Sequence, residues 1–175
     1  RLETAFNLKH MKQPMVGFEQ NPYLKGLEFF QPVLNAIRYQ RVLIIQYKSF
    51  KQTASESITF HPYFLKQYNS RWFVFGLNQA FGAISNLALD RIISISETAF
   101  SYVENQEIDF EEYFEDVLGV TLKPDQIPQK IVLEVSPDLW PYIETKPIHG
   151  SQKIKQNTES AIILELHLII NYELI

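Results

Sequence analysis

Cysteine is absent from all 175 residues, which excludes disulfide bonds and thiol catalysis and fits a reducing compartment. No apolar run approaches the roughly 20 residues that a membrane-spanning helix needs, and the N-terminal residues do not read as a signal peptide. We therefore expect a cytoplasmic protein that does not associate with a membrane.

Positive charge is also scarce. The formal net charge is −4, whereas a domain that binds duplex DNA is usually basic because it must neutralise phosphates. We expect that this chain does not bind duplex DNA by itself. A net charge does not report local fields, so a small basic pocket for a few phosphates stays open.

The patterns that usually mark an enzyme are missing. There is no glycine-rich phosphate loop, no G-x-S-x-G sequence and no dinucleotide fingerprint. Glu111 and Glu112 are adjacent carboxylates, but the acidic first turn of a helix explains them better. None of the four histidines has the spacing of metal ligands: His10, His61, His149 and His167. We expect no enzymatic activity, no metal and no cofactor.

Aromatic residues are plentiful, with thirteen Phe and nine Tyr, and they favour β-strands. Residues 56–97 contain three runs that alternate apolar and polar residues, at 57–61, 71–77 and 86–91. Residues 68–70 and 80–82 are suited to the tight turns between them. This pattern predicts a small antiparallel barrel or a strongly curled sheet.

Further elements are predicted around these strands. Residues 1–27 contain four Pro or Gly breakers and are predicted to be a linker. Apolar spacing predicts a helix over 28–40 with Pro32 in its first turn, and a strand follows at 42–48. A short strand is expected within 100–108. An acidic helix is predicted over 109–118, capped by Asp109 and ended by Gly119.

A second unit is predicted after a linker at 123–128. It contains a strand at 130–136, a short helix or turn at 137–143, a segment at 151–156 and a strong strand at 161–170. The predicted class of the whole chain is mainly β, or α+β. The start at Arg1 and the helix-cap pattern at Asn171 lead us to expect a fragment that is cut at both ends.

The central stretch resembles the WYL domain, a module of bacterial transcription regulators. The namesake triplet is Trp72-Phe73-Val74 here, where the family has Trp-Tyr-Leu, so a hydroxyl group is missing at Phe73. The resemblance implies an SH3/Sm-like antiparallel β-barrel over residues 28–120. It is carried by the strand-ending Tyr47, the segment His61-Pro62-Tyr63-Phe64-Leu65, the segment Arg71-Trp72-Phe73-Val74-Phe75-Gly76, and Leu89-Asp90-Arg91-Ile92.

Residues 128–175 resemble the WCX extension that follows WYL domains, through the segments 147–152 and 171–174. This resemblance implies a ferredoxin-like βαββαβ unit, truncated because its last helix and strand are missing. In WYL regulators a winged helix-turn-helix commonly precedes the WYL domain. We therefore expect contact with DNA through a domain outside this chain, and we expect a homodimer.

A basic and aromatic patch is the candidate ligand site, because WYL domains are proposed to bind nucleic-acid-like ligands at these motifs. Arginines suit phosphate or carboxylate groups, histidine adds a titratable donor, and aromatic rings can stack on bases. A purely structural role stays open for each residue: an ion pair of Arg91 with Asp90, a backbone hydrogen bond of His61, or a core position of Trp72. The candidate residues are Tyr47, His61, Tyr63, Lys66, Arg71, Trp72, Asn86 and Arg91.

Two hypotheses about function follow. In the first, the chain is the effector-sensing part of a transcription regulator, and its ligand is a nucleotide or a single-stranded nucleic acid. In the second, it is a dimerisation or protein-interaction module without a small ligand. Binding of short single strands separates the two, because only the first requires it.

Overall fold

The computed structural model of the protein describes residues 24–50, 52–106, 108–121 and 126–175. It is mostly β with some helix, and its two sheets are antiparallel. Most of the predicted linker 1–27, and part of the predicted linker 123–128, lie outside the described residues. The elements are α1 (Phe30–Arg38), β1 (Val42–Tyr47), β2 (Glu56–Tyr68), β3 (Arg71–Asn78), β4 (Ala83–Ala88), β5 (Ile92–Thr98), α2 (Phe110–Tyr113), β6 (Gln129–Val135), α3 (Trp140–Thr145), β7 (Lys153–Asn157) and β8 (Ile162–Leu168).

The first sheet has the strand order β4-β3-β2-β1-β5 and is organised by the long strand β2. The N-terminal half of β2 pairs with β1, and its C-terminal half pairs with β3. The register of β2 against β3 shifts between Pro62 and Phe64. Proline lacks an N–H for the ladder, so the strand continues through a bulge that bends it. The predicted strand end at His61 is therefore wrong, because β2 runs on to Tyr68.

A closed barrel is not found among the described strands, because β4 and β5 are the two edges of the sheet and do not pair. The edges nevertheless meet at one corner, since the 3-10 turn Leu89–Arg91 leads directly from β4 into β5. The hydroxyl oxygen of Tyr47, at the end of β1, accepts a hydrogen bond of 3.3 Å from the backbone N–H of Ala88. The sheet is therefore strongly curled and tied at this corner by a side chain.

The main core lies between the concave face of this sheet and α1. Leu43, Ile45, Phe60 and Val74 are fully buried there, with Val33 and Ala36 of the helix. The ring of Trp72 packs edge-on against Phe30, with 4.6 Å between the ring centres. The predicted helix is confirmed, and Pro32 lies in its first turn, where its missing N–H has no cost.

The other face of β2 and β3 is covered by an aromatic cluster. Phe110 of α2 stacks on Phe64, with 4.9 Å between the ring centres, and Phe75 packs against Phe114. Asp109 caps α2 by accepting a 2.8 Å hydrogen bond from the N–H of Glu111, as predicted. The helix ends at Tyr113 and not at 118, because one turn already brings its rings onto the sheet and the chain then continues through turns.

The segment 100–106 is irregular, so the short strand expected within 100–108 is not found among its described residues. Its backbone groups bond instead to side chains of β2. The N–H of Val103 donates to Nδ1 of His61 at 3.0 Å, and the carbonyl of Val103 accepts from the hydroxyl of Tyr63 at 2.8 Å. The hydroxyl of Tyr102 donates to the carbonyl of Pro62 at 2.6 Å. Backbone N–H and C=O groups that are already hydrogen-bonded to side chains are not available to pair with a neighbouring strand.

The second sheet has the strand order β6-β8-β7, with α3 between β6 and β7 along the chain. Its core contains Ile162, Leu164 and Val135, packed against Trp140. The predicted strands at 130–136 and 161–170 are confirmed within a few residues. The ferredoxin-like plan is not confirmed and stays a prediction.

The two sheets are joined through segments 116–121 and 169–174, which we call the junction. The N–H of Ile169 donates to the carbonyl of Asp116 at 2.9 Å. The amide nitrogen of Asn171 donates to the carbonyls of Leu118 and Thr121 at 2.8 and 2.9 Å. Within the described parts of the chain, no helix has the length and apolar character needed to cross a membrane.

Candidate functional site

A cleft of about 870 Å³ opens beside the corner at which β4 meets β5. It is formed by the first residues of β3, the end of the 3-10 turn, and both segments of the junction. We call it the corner cleft. Its polar and aromatic lining residues include Tyr68, Arg71, Asn86, Arg91, Tyr172 and Glu173.

Arg71 is positioned by the β2–β3 hairpin. Asn69 and Ser70 both have positive φ, at 46° and 61°, as a tight two-residue hairpin requires. Arg71 is therefore the first residue of β3, and its side chain is 49% exposed. Its Nε lies 3.7 Å from Oδ2 of Asp90, which is an ion pair but longer than a hydrogen bond. Asp90 thus attracts this guanidinium group without a close contact.

Arg91 ends the 3-10 turn, and its guanidinium group packs on an aromatic ring. Its guanidinium carbon lies 4.3 Å from the centre of the Phe50 ring. Its Nε is buried and has no hydrogen-bond partner among the described residues. Burial raises the pKa of the Tyr47 hydroxyl, and the Ala88 N–H and the Arg91 guanidinium oppose that rise. The carboxylate of Asp90 forms its ion pair with Arg71 and not with Arg91, its neighbour in the sequence.

Asn86 and Lys66 lie at the border between the cleft and the junction. The amide nitrogen of Asn86 donates to the carbonyl of Val120 at 2.6 Å. The Nζ of Lys66 lies 3.4 Å from the centre of the Phe114 ring. Burial lowers the pKa of Lys66, and the negative charge of Glu173 partly opposes this. Both side chains therefore support the region where the two sheets meet.

His61 and Tyr63 lie apart from the cleft and hold the segment 100–106. His61 is only 2% exposed, and its Nδ1 is used by the N–H of Val103. Burial lowers the pKa of this imidazole, which favours the neutral form that can accept the bond. Tyr63 lines a separate depression of about 450 Å³ that Glu104 also lines.

The structure brings together three of the eight predicted residues, namely Arg71, Asn86 and Arg91. Tyr47 and Lys66 contact the surroundings of the cleft without lining it. Trp72 lies on the concave face of the sheet, because its position in β3 has the opposite parity to Arg71. That each of the eight contacts a ligand stays a prediction.

Eight further lining residues were not predicted from the sequence, and they include Tyr68, Thr121, Tyr172 and Glu173. Tyr68 pairs directly with Arg71 across the hairpin, so the predicted turn already placed it nearby. Tyr172 and Glu173 are about a hundred residues further along the chain, and only the fold brings them to Arg71. Within the described residues, no group of three or more His, Asp or Glu side chains could hold a metal ion.

Comparison with known proteins gives a match to one family model and similarity to solved structures. Residues 28–97 match the model of the WYL domain, a range that runs from α1 through nearly all of β5. Among solved structures, the chain is similar to proteasome accessory factor B/C (PafBC) of Arthrobacter aurescens, with 15% sequence identity and a TM-score of 0.44. The similarity covers 87% of this chain and 22% of that chain, so this chain spans about a fifth of the length of its structural neighbour. No curated protein matches it.

Proposed function

Because residues 28–97 form a WYL domain, we propose that this chain is the effector-sensing part of a bacterial transcription regulator. The proposed effector is a nucleotide or a short single-stranded nucleic acid that binds in the corner cleft. Its binding would control a DNA-binding domain that is not contained in these 175 residues. No enzymatic activity is part of the proposal.

The observation that carries this proposal is the convergence of two arginines. Arg71 and Arg91 come from different elements and line the same cleft. Arg71 makes a long ion pair with Asp90, and Arg91 packs on the ring of Phe50. Guanidinium groups present several donors in a planar fork that matches phosphate and carboxylate oxygens. Two such groups in one cleft can hold an anionic group from two directions.

The carboxylates near the cleft narrow the type of ligand. Asp90 pairs with Arg71, and Glu173 lines the cleft itself. Two acidic groups beside two arginines leave little net positive charge, which does not suit a bulk polyanion such as duplex DNA. A nucleotide combines an anionic group with base N–H donors, so it suits a cleft that offers both kinds of partner.

The cleft is also placed where ligand binding can change the arrangement of the two sheets. One part of its lining belongs to β3 and the 3-10 turn, and the other part belongs to the junction. A ligand shifts an equilibrium between two arrangements only when it binds one of them more tightly. A site built from both units has this property, because a change in their relative position changes the site.

A fluorescence-polarisation titration with a labelled single-stranded oligonucleotide tests the proposal. Replacing Arg71 and Arg91 with alanine should weaken binding at least about tenfold, because each arginine supplies charge-assisted hydrogen bonds. The matched control replaces Arg38, the last residue of α1, and Arg41, which precedes β1. Both are exposed and line no part of the cleft. Equal affinity of a folded Arg71→Ala, Arg91→Ala variant and the control would contradict the proposed site.

A dimerisation module is the second candidate, and the edge strand β5 favours it. On this edge Ile93 is exposed, and Phe100 is exposed just after it. An unpaired strand edge with apolar side chains can pair with the same edge of another copy. Light scattering over a range of concentrations tests this candidate, and replacing Ile93 with lysine should keep the chain monomeric if it is right.

A further inference from the structure

We propose that Tyr172 is a stacking platform for the base of the ligand whose phosphate binds Arg71 and Arg91. This inference rests on the proposed function and deepens it, because it assigns a ligand contact to a residue of the second unit. The ligand would then bridge the two units directly. Its chemical class is a nucleotide or an oligonucleotide with an intact base.

Tyr172 is an aromatic residue that the fold leaves exposed. Its side chain is 86% exposed, although a tyrosine ring is large and partly apolar. Its two neighbours are fixed. Asn171 is buried and donates to the carbonyls of Leu118 and Thr121. Tyr172 is therefore exposed although it lies in a segment that hydrogen bonds hold in place.

Glu173 anchors the segment on the other side of Tyr172. Its Oε1 accepts hydrogen bonds from the hydroxyl of Thr121 at 2.7 Å and from the N–H of Val120 at 3.3 Å. Because both neighbours are hydrogen-bonded to segment 116–121 of the junction, the backbone of Tyr172 has little freedom. The backbone of Tyr172 is thus fixed at a position beside the corner cleft, which reduces the backbone entropy lost when a ligand stacks on the ring.

The composition of the cleft matches a ligand that is part anionic and part aromatic. Two guanidinium groups and two tyrosine rings, those of Tyr68 and Tyr172, line the same space of about 870 Å³. Ligand pockets usually measure about 300–1,000 Å³. Basic groups combined with aromatic rings are typical of sites for single-stranded nucleic acids, in which the rings stack on bases.

The consequence is a mechanism for sensing. A ligand held by arginines of the first unit and by Tyr172 of the second unit favours the arrangement in which both can reach it. A bare phosphate reaches only the arginines and should not favour that arrangement. The intact base is therefore the part of the ligand that links the two units.

The experiment compares two labelled oligonucleotides with the same number of phosphates, one of thymidines and one fully abasic. For Tyr172→Ala, the affinity for the thymidine strand should fall about 5- to 150-fold, the range that corresponds to loss of one stacked base. The affinity for the abasic strand should stay within about twofold of wild type. Tyr172→Phe keeps the ring and should bind both strands as wild type does. Tyr142→Ala is the matched control, because Tyr142 is 74% exposed on α3 and lines no part of the cleft.

Three outcomes would overturn the inference. If Tyr172→Ala binds both strands as wild type does, while the double arginine variant is weakened, Tyr172 has no role and the proposed function stands. If Tyr172→Ala weakens both strands equally, the residue shapes the cleft and does not stack. If the wild-type chain binds neither strand, the proposed function fails and the stacking role fails with it. Melting curves and the Tyr172→Phe variant identify any loss that is due to misfolding.

Discussion

Replacing Gly119 with alanine tests whether the junction is built around Glu173. Gly119 has a φ of +92°, a region that residues with a side chain rarely adopt. A Cβ added there would lie 2.6 Å from Cγ of Glu173 and 3.0 Å from its Cβ. These distances are too short, so Glu173 must move and give up its bonds to Val120 and Thr121.

The expected cost has two parts. A non-glycine residue with this backbone conformation costs about 1–3 kcal/mol. Displacing the carboxylate of Glu173 from its hydrogen bonds adds about 1–3 kcal/mol. Gly82→Ala is the matched control, because Gly82 also has a positive φ, of +60°, but nothing lies within 4 Å of an added Cβ. The loss in free energy of unfolding for Gly82→Ala should therefore report the cost of the backbone conformation alone.

Urea unfolding followed by tryptophan fluorescence measures both variants, since Trp72 reports on the first unit and Trp140 on the second. In a Glu173→Ala background, the extra cost of Gly119→Ala should largely disappear, because the colliding Cγ is gone. If Gly119→Ala costs no more than Gly82→Ala, or costs the same with and without Glu173, then Glu173 does not pack against Gly119 in the way the junction requires.

Three further predictions concern the first sheet. Gly76→Ala should destabilise the fold by about 3 kcal/mol or more, because the added Cβ would collide with the backbone oxygen of His61; urea unfolding checks this. Tyr47→Phe should cost about 1–3 kcal/mol, since the buried N–H of Ala88 loses its acceptor; thermal unfolding measures it. Burial lowers the pKa of His61 in the folded state, so the unfolded chain binds its proton more readily. The contribution of neutral His61 to the free energy of unfolding should therefore be fully present above the unfolded pKa of about 6.5, and it should decline as the pH falls below that value. Replacing His61 with glutamine should remove this part of the pH dependence in thermal unfolding.

Local rules were enough to predict the elements whose chemistry is local. Alternation identified β3, the turn residues 68–70 identified the hairpin, and Asp109 identified the start of α2. The alternating run predicted at 86–91 overlaps only the last three residues of β4, because Leu89–Arg91 form a 3-10 turn. The continuation of β2 past Pro62 could not be predicted in this way. It depends on a bulge that β3 stabilises by pairing with both sides of it, which is a tertiary effect.

The residues of the candidate site also fall into those that a local pattern predicts and those that only the fold brings together. The parity of β3 already placed Arg71 and Trp72 on opposite faces, and in the structure Trp72 is partly buried and packs against the core. Arg91 reaches the same cleft as Arg71 because the sheet curls, and a one-dimensional pattern does not report curling. Tyr172 reaches it only through hydrogen bonds of the junction, such as those of Asn171. Contacts between distant segments were therefore the part that sequence reasoning missed.

The salt dependence of binding measures whether Arg71 and Arg91 hold the phosphates of a single-stranded ligand, as we propose. The logarithm of the binding constant should be plotted against the logarithm of the salt concentration for wild type, for the double arginine variant and for the Arg38, Arg41 control. Each neutralised phosphate of a single strand contributes a slope of about −0.7, so loss of two contacts should make the slope shallower by about 1.4. We expect this change for the double arginine variant alone. An unchanged slope in that variant would contradict this proposal.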